Sequence, residues 1–306
     1  MTIPFFLETY LREVQCEPNL IQLISYIARA AKYVQHAIRH EHLGISGTVN
    51  VQGEEQLKLD ILSDNIFCKH LAESNLVAQI SSEEQEDAVV LMDNLGEYSV
   101  AFDPLDGSSL VASNLAVGSI FGIFPGNGFI GMTGRQMVAA GYMLYGPRTT
   151  LSISIGKGLA SFMLNDLGEF QSFSEGIRVE ETAKIFAPGN LRAVTDRPSY
   201  QKLVTKWSDE KFTLRYSGGM VPDINTIFCK GNGIFAYPSS EKYPKGKLRL
   251  LYECAPFAFL MEQAGGLAKT ETGEDILDLP IQDLHERTSI LVGSKKTVED
   301  AINMLK

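Results

Sequence analysis

The sequence predicts a mixed α/β fold in two parts, an α+β half followed by an α/β half. Two observations carry this. Residues 19–43 set Leu20, Leu23, Ile24, Ile27, Ala31, Val34 and Ile38 three and four apart, which lines one face of a long amphipathic helix. Asn19 is its candidate cap and Gly44 its stop. Consecutive strand-like segments come later in this half, whereas after Lys184 strand-like and helical segments alternate one by one. The chain of 306 residues is long enough for two cores. The change of style puts their boundary near residue 182, giving units 1–182 and 183–306.

In chain order, MTIPFFLETYLREVQ reads as a short amphipathic helix, without the basic start or small-residue cleavage pattern of a secretory leader. A second helical pattern covers roughly 55–72 and ends near Glu73-Ser74. VAQISSEEQED is a strand running into an acidic loop, and YSVAF (98–102) is a short strand followed by DPLDGSS. GSIFGIFPG and TTLSISIGKG alternate as strands do, and SFMLNDLGEFQSF folds as a hairpin around Asn165-Asp166-Leu167-Gly168. Beyond Lys184 come strand KIFAPGNLRAV, helix YQKLVTKW, loop RYSGGMVPD, strand GIFAYP, helix LYECAPFAFLMEQAGG, strand SILVGS and helix KTVEDAINML.

Composition excludes several classes. Hydrophobic residues make 44% and charged residues 21%, as in a soluble globular protein of the cytoplasm. No apolar run reaches the length a bilayer requires, so no membrane partner is expected. A net charge of -10 argues against nucleic acid but permits a phosphorylated small molecule, which needs only a few cations. Cys16, Cys68, Cys229 and Cys254 are scattered without a CxxC, and read as buried thiols rather than disulfides or zinc ligands.

The polar chemistry concentrates at a few places. Asp103 and Asp106 bracket Pro104-Leu105; Glu83-Glu84 ends a strand; Gly53-Glu54 precedes the helix carrying Asp60; Glu253 opens a helix. Asp-Pro and Asp-Gly are ordinary turn dipeptides, and an acidic run such as EEQED is usually a solvated loop. Gly107-Ser108-Ser109 shifts the balance. A helix starting there would offer free N–H groups and hydroxyls to a phosphate. Carboxylates for hard cations beside such a cradle are what phosphoester hydrolysis uses. The five histidines, at 36, 40, 42, 70 and 285, lie away from these hydroxyls in sequence, which disfavours a serine nucleophile.

FDPLDGSS (102–109), GKLRLLYEC (246–254) and NVQGEEQLKLD (50–60) together resemble the signatures of the sugar bisphosphatases related to fructose-1,6-bisphosphatase. The similarity runs along nearly the whole chain. It implies a layered α-β-α-β-α fold and a Mg2+-dependent phosphatase with two or three ions, Mn2+ being an alternative. The implied metal ligands are Glu83, Glu84, Asp103, the Leu105 carbonyl, Asp106 and Glu253. Asp60 with Glu84 would position or deprotonate the attacking water, and Glu54 would lie in a loop closing over the site. Gly107, Ser108 and Ser109 would hold the 1-phosphate. The far phosphate would meet Arg215, Tyr216, Tyr237 and Lys247, with Arg215 reaching across from a neighbouring subunit, so a homodimer or homotetramer is implied. On residues alone, the tyrosines read rather as core aromatics, and Lys247 and Arg249 as surface charges on an edge strand.

The resemblance also bears on the sugar. YGPRTT (145–150), KIFAPGNLRA (184–193) and LRYSGGMVPD (214–223) look more like sedoheptulose-1,7-bisphosphatases, while Tyr237 and PKGK (244–247) look like the fructose enzymes. Ser174 and Ile177 stand where the fructose enzymes are expected to use Asn and Tyr against the far phosphate. Leu110-Val111-Ala112 replaces the usual Asn-Ile-Asp. The expected substrate is therefore sedoheptulose 1,7-bisphosphate, with fructose 1,6-bisphosphate as the alternative and a non-catalytic sugar-phosphate binder as a remote one. Related inositol phosphatases close their metal site with a Trp-Asp pair, whereas Trp207 here precedes Ser208. Where AMP-inhibited members grip the nucleotide phosphate, this chain carries Glu17 and Glu97, which would repel it.

Overall fold

The computed structural model describes residues 5–40, 45–49, 55–91 and 96–306. Eight helices are labelled among them: α1 (Leu7–Glu13), α2 (Pro18–His40), α3 (Lys58–Glu73), α4 (Ala193–Asp196), α5 (Pro198–Asp209), α6 (Met220–Lys230), α7 (Ala255–Gln263) and α8 (Lys295–Leu305). Strands β1 (Ile45–Val49) and β2 (Glu55–Leu57) form a small antiparallel pair. The large sheet contains β3 (Val77–Ser82), β4 (Val89–Val90), β5 (Tyr98–Asp106), β6 (Val117–Pro125), β7 (Ala139–Tyr145), β8 (Thr149–Ser154), β9 (Ala160–Leu164) and β10 (Phe170–Ser174). Their order is β10-β9-β8-β7-β6-β5-β3-β4, with β3 and β5 the parallel neighbours.

A five-stranded sheet takes β11 (Ile185–Pro188), β12 (Thr213–Leu214), β13 (Ile234–Tyr237), β15 (Leu267–Lys269) and β17 (Ile290–Gly293), in the order β12-β11-β13-β17-β15. Between β13 and β15 in sequence, β14 (Leu248–Arg249) pairs with β16 (Arg287–Thr288).

Three apolar clusters separate five layers. The first lies between one face of the large sheet and α1, α2 and α3. The second fills the space between the two sheets and contains α6 and α7. The third sits under α5 and α8 on the outer face of the smaller sheet. This is the α-β-α-β-α arrangement that the resemblance implied. Trp207 is buried in the third cluster against Phe186, with ring centroids 5.5 Å apart, as part of the core.

Several elements differ from expectation. The long helix runs Pro18–His40, and Asn19 reaches away from it, its amide donating to Glu97 Oε1 at 2.8 Å rather than capping. Gly44 and Glu54 lie outside the described residues. The second helix begins at Lys58, after a strand over 55–57. β5 continues through Asp106, four residues past Phe102. Residues 139–145 form a strand that alternation did not flag, because it is buried on both faces and offers little polar contrast. RYSGGMVPD is a loop only to Gly219; from Met220 it is the first turn of α6, where Pro222 is tolerated. Cys16 and Cys254 are buried, but Cys68 is half-buried and Cys229 exposed, all as free thiols. None of the described helices is long and apolar enough to cross a membrane.

Phe67 of α3 stacks on Phe102 of β5 with centroids 5.2 Å apart, and this contact fixes the helix against the strand that carries Asp103. Phe102→Ala is expected to cost about 3–5 kcal/mol of unfolding free energy. Urea denaturation of the two proteins measures it.

Candidate active site

In a regular strand, residues three apart point to opposite faces. Asp103 and Asp106 avoid this because β5 is bulged. Asp103 pairs with Ile120 and Asp106 with Gly118, so three steps on β5 match two on β6. The extra residue falls at Pro104-Leu105, where a proline in a central strand is tolerable. Ser119 Oγ donates to the Pro104 carbonyl at 2.7 Å, and the Leu105 N–H donates to Asp103 Oδ1 at 2.9 Å, holding the bulge. The bulge thereby turns both carboxylates to one side.

Glu253 arrives by a second irregularity, a π-turn over Leu250–Cys254 ahead of α7. Its Oε2 accepts the Arg249 N–H at 2.6 Å. Carboxylate oxygens of Asp103, Asp106 and Glu253 then lie within 4.8 Å of one another. Asp106 also accepts the N–H groups of Met220 (3.3 Å) and Val221 (2.7 Å), so it anchors the start of α6.

These groups line one cavity of about 310 Å³ together with Asp60, Glu83, Glu84, Leu105, Gly107, Ser108, Ser109, Tyr216, Tyr237 and Lys247. All the expected site residues are thus gathered except two. Arg215 is exposed and points elsewhere, its guanidinium donating to the Leu214 carbonyl at 3.1 Å. Glu54 lies outside the described residues. The segment after Gly107, a left-handed residue at φ 73°, is a 3-10 helix over Ser108–Ser113 and not an α-helix.

Ser174 and Ile177 do not border this cavity. β10 is the edge strand of the large sheet, and Ile177 packs into the core between the sheets. The segment that approaches Tyr237 is instead 187–190, where Asn190 Nδ2 donates to the Pro238 carbonyl at 3.1 Å.

Two contributions went unread in the sequence. Arg249, which resembled a surface charge, is 3% exposed and lines the cavity, its Nη1 lying 2.9 Å from Glu83 Oε1. Gly218, Gly219 and Met220 form the wall beside Asp106. The glycine pair before α6 was the available signal, since a backbone that must approach closely favours it.

Burial raises every carboxyl of the trio. Asp103 is pushed well above the carboxylate range by desolvation and then by Glu83, Asp106 and Glu253. Asp106 rises to about 7, chiefly through desolvation, against the opposing Val221 and Met220 N–H bonds. Glu253 rises to about 8 by desolvation and Glu83, with Arg249 opposing. Asp60 is raised by burial, while the Leu57 N–H and Ser108 pull it back. Two like charges at such separations repel by roughly 3–4 kcal/mol at an effective dielectric constant of about 20. A hard divalent cation among these oxygens would remove that repulsion, so the donor set fits one.

Comparison with known proteins agrees with this geometry. The family model described as "Fructose-1-6-bisphosphatase, N-terminal domain" matches residues 1–175, and the corresponding C-terminal domain model matches 179–306. A Fructose-1,6-bisphosphatase class 1 of Syntrophotalea carbinolica is 48% identical over 302 residues, covering 98% of this chain and 93% of that protein. A chloroplastic Sedoheptulose-1,7-bisphosphatase of Triticum aestivum is 41% identical, covering 95% of this chain and 74% of that one. The crystal structure of Leishmania major fructose-1,6-bisphosphatase in holo form superposes with a TM-score of 0.93 at 32% identity, covering 99% of each chain. The chain belongs to the fructose-1,6-bisphosphatase family and is a phosphoric monoester hydrolase of the sugar-bisphosphate class.

The raised carboxyls set a pH dependence for the metal-free protein. Asp106 and Glu253 start near 3.8 and 4.5 when unfolded and reach about 7 and about 8 when folded. Folding therefore favours their protonated forms. Their contribution is most favourable below about pH 4 and is lost as pH rises through 7 and 8. Thermal melts in EDTA are expected to show this decline, and added Mg2+ is expected to raise Tm more at pH 8 than at pH 5.

Proposed function

We propose that the chain hydrolyses the 1-phosphate of fructose 1,6-bisphosphate, releasing fructose 6-phosphate, with Mg2+ held by Glu83, Glu84, Asp103, the Leu105 carbonyl, Asp106 and Glu253. The observation that carries the reading is the meeting of three buried carboxylates beside Gly107, Ser108 and Ser109 in one cavity. Magnesium there would supply neutralisation of charge on the phosphoryl group and acidification of water.

The chain's own groups account for binding and proton movement. Asp60 is held through Oδ2 by the Leu57 N–H at 2.8 Å, while its buried Oδ1 has no hydrogen-bond partner among the described residues. That oxygen is suited to take the proton of the attacking water, with Glu84 across the cavity. Gly107, Ser108 and Ser109 offer N–H and hydroxyl donors to the reacting phosphate. Lys247, Tyr237 and Tyr216 on the other wall receive the distal phosphate. Arg215, exposed and outside its own cavity, is free to serve a neighbouring subunit in a homodimer or homotetramer. In this reading 1–182 supplies most of the metal and 1-phosphate site, 183–306 supplies Glu253 and the sugar site, and the reaction belongs to the cytoplasm.

Fructose is preferred because the curated relative at 48% identity is a fructose-1,6-bisphosphatase. Sedoheptulose 1,7-bisphosphate is the second reading, favoured by the wheat relative and by the segments at 145–150, 184–193 and 214–223.

Phosphate release from both sugars, with and without Mg2+, tests the assignment. Fructose is expected to give the higher kcat/KM; a reversed ratio selects the second reading. Asp106→Asn, which retains an acceptor for α6, is expected to lower kcat by about 100-fold or more. Wild-type turnover in that variant would remove the acidic cluster from the mechanism.

Glu97 is tied to Asn19, and with Glu17 it would repel a nucleotide phosphate at the start of α2. AMP at 1 mM (about a thousandfold above a micromolar effector site) is expected to leave the rate unchanged. Half-inhibition at micromolar AMP would contradict this.

A further inference from the structure

Helix α3 presents more than Asp60 to this region. Asp64 and Cys68 follow at intervals of four, so the three share one stripe. Asp64 is buried, and its Oδ2 accepts Gln85 Nε2 at 2.7 Å. The same Nε2 lies 3.3 Å from Cys68 Sγ. Since Asp64 offers only acceptors, the amide must face it nitrogen first. Asp64 also bonds the Ser82 side chain, and Ser82 Oγ in turn accepts the Glu84 N–H at 3.3 Å.

Gln85 is gripped from the opposite side as well. Its backbone carbonyl lies 2.8 Å from His285 Nε2, 200 residues further along the chain. A carbonyl can only accept, so Nε2 carries the proton. The backbone at His285 is held by Asp283, whose Oδ1 accepts the His285 backbone N–H at 2.8 Å, and the His285 ring packs 5.4 Å from Tyr252, the residue before Glu253.

We propose that Gln85 is a positioning residue that locks the Glu83-Glu84 loop to the other carboxylates. Its side-chain amide ties the loop to the helix of Asp60, and its backbone carbonyl ties it to the segment beside Glu253. Neither Gln85 nor its partners Asp64 and His285 borders the cavity. They act on the ion through loop geometry alone. The inference rests on the divalent-metal reading above and adds the determinant of metal affinity.

The test compares wild type, Gln85→Met, His285→Phe and Asp64→Asn. Gln85 is only half-buried, so methionine fits its place without an amide. Mn2+ binding is followed by loss of the free-ion EPR signal, and turnover is followed against Mg2+ concentration. Gln85→Met and His285→Phe are each expected to weaken Mn2+ binding and raise half-saturating Mg2+ by about tenfold, with the sugar-phosphate KM at saturating Mg2+ within about twofold of wild type. Asp64→Asn keeps an acceptor for Gln85 and is expected to weaken Mn2+ binding less than Gln85→Met does. Unchanged Mn2+ affinity in a Gln85→Met protein that melts like wild type overturns the proposal. Wild type that binds Mn2+ but turns over neither sugar overturns the catalytic reading alone, and wild type that binds no Mn2+ overturns both.

Discussion

Buried like charge is the constraint around which this molecule is built. Asp103, Asp106 and Glu253 meet where water is largely excluded, and Arg249, paired with Glu83, offsets only part of the trio's charge, at Glu253. Left alone, such a cluster answers by holding protons, which is why its carboxyls titrate so high. The surrounding fold supplies the cohesion that tolerates it. Phe102 and Leu105 are buried beside the two aspartates, and the apolar core between the sheets encloses the π-turn of Glu253. Charge strain is stored in the metal-free protein and relieved by the ligand that the reaction needs.

The layered architecture explains how residues so far apart in sequence converge. Asp60 belongs to the helical layer over the large sheet, Asp106 ends a strand of that sheet, and Tyr237 ends a strand of the smaller one. Asp106 joins two of these layers directly, because it accepts the first N–H groups of α6. A cavity carboxylate that also caps a helix couples the electrostatics of the site to the packing between the sheets.

Much of this was legible in the sequence, and the exceptions share physical causes. The period of 3.6 exposed α2, and the β/α alternation after Lys184 exposed the second half. β7 was illegible because a strand covered on both faces has no polar side to alternate. The start of α6 was hidden by Gly218, Gly219 and Pro222, residues that suit a loop and a helical first turn equally. Within the site, spacing and resemblance named the carboxylates. Arg249 was misread because an arginine's burial depends on tertiary partners, here Glu83 more than 160 residues away.

The two irregular turns have a consequence of their own. Asp103 and Asp106 converge only because β5 carries one residue more than its neighbour, and Glu253 is delivered by a helical turn one residue wider than usual. Removing a single residue from either place would swing a carboxylate away while every acidic letter of the motif survived. Chains of this shape can therefore lose their chemistry through length rather than substitution, and sorting working copies from retired ones requires counting positions as well as reading them.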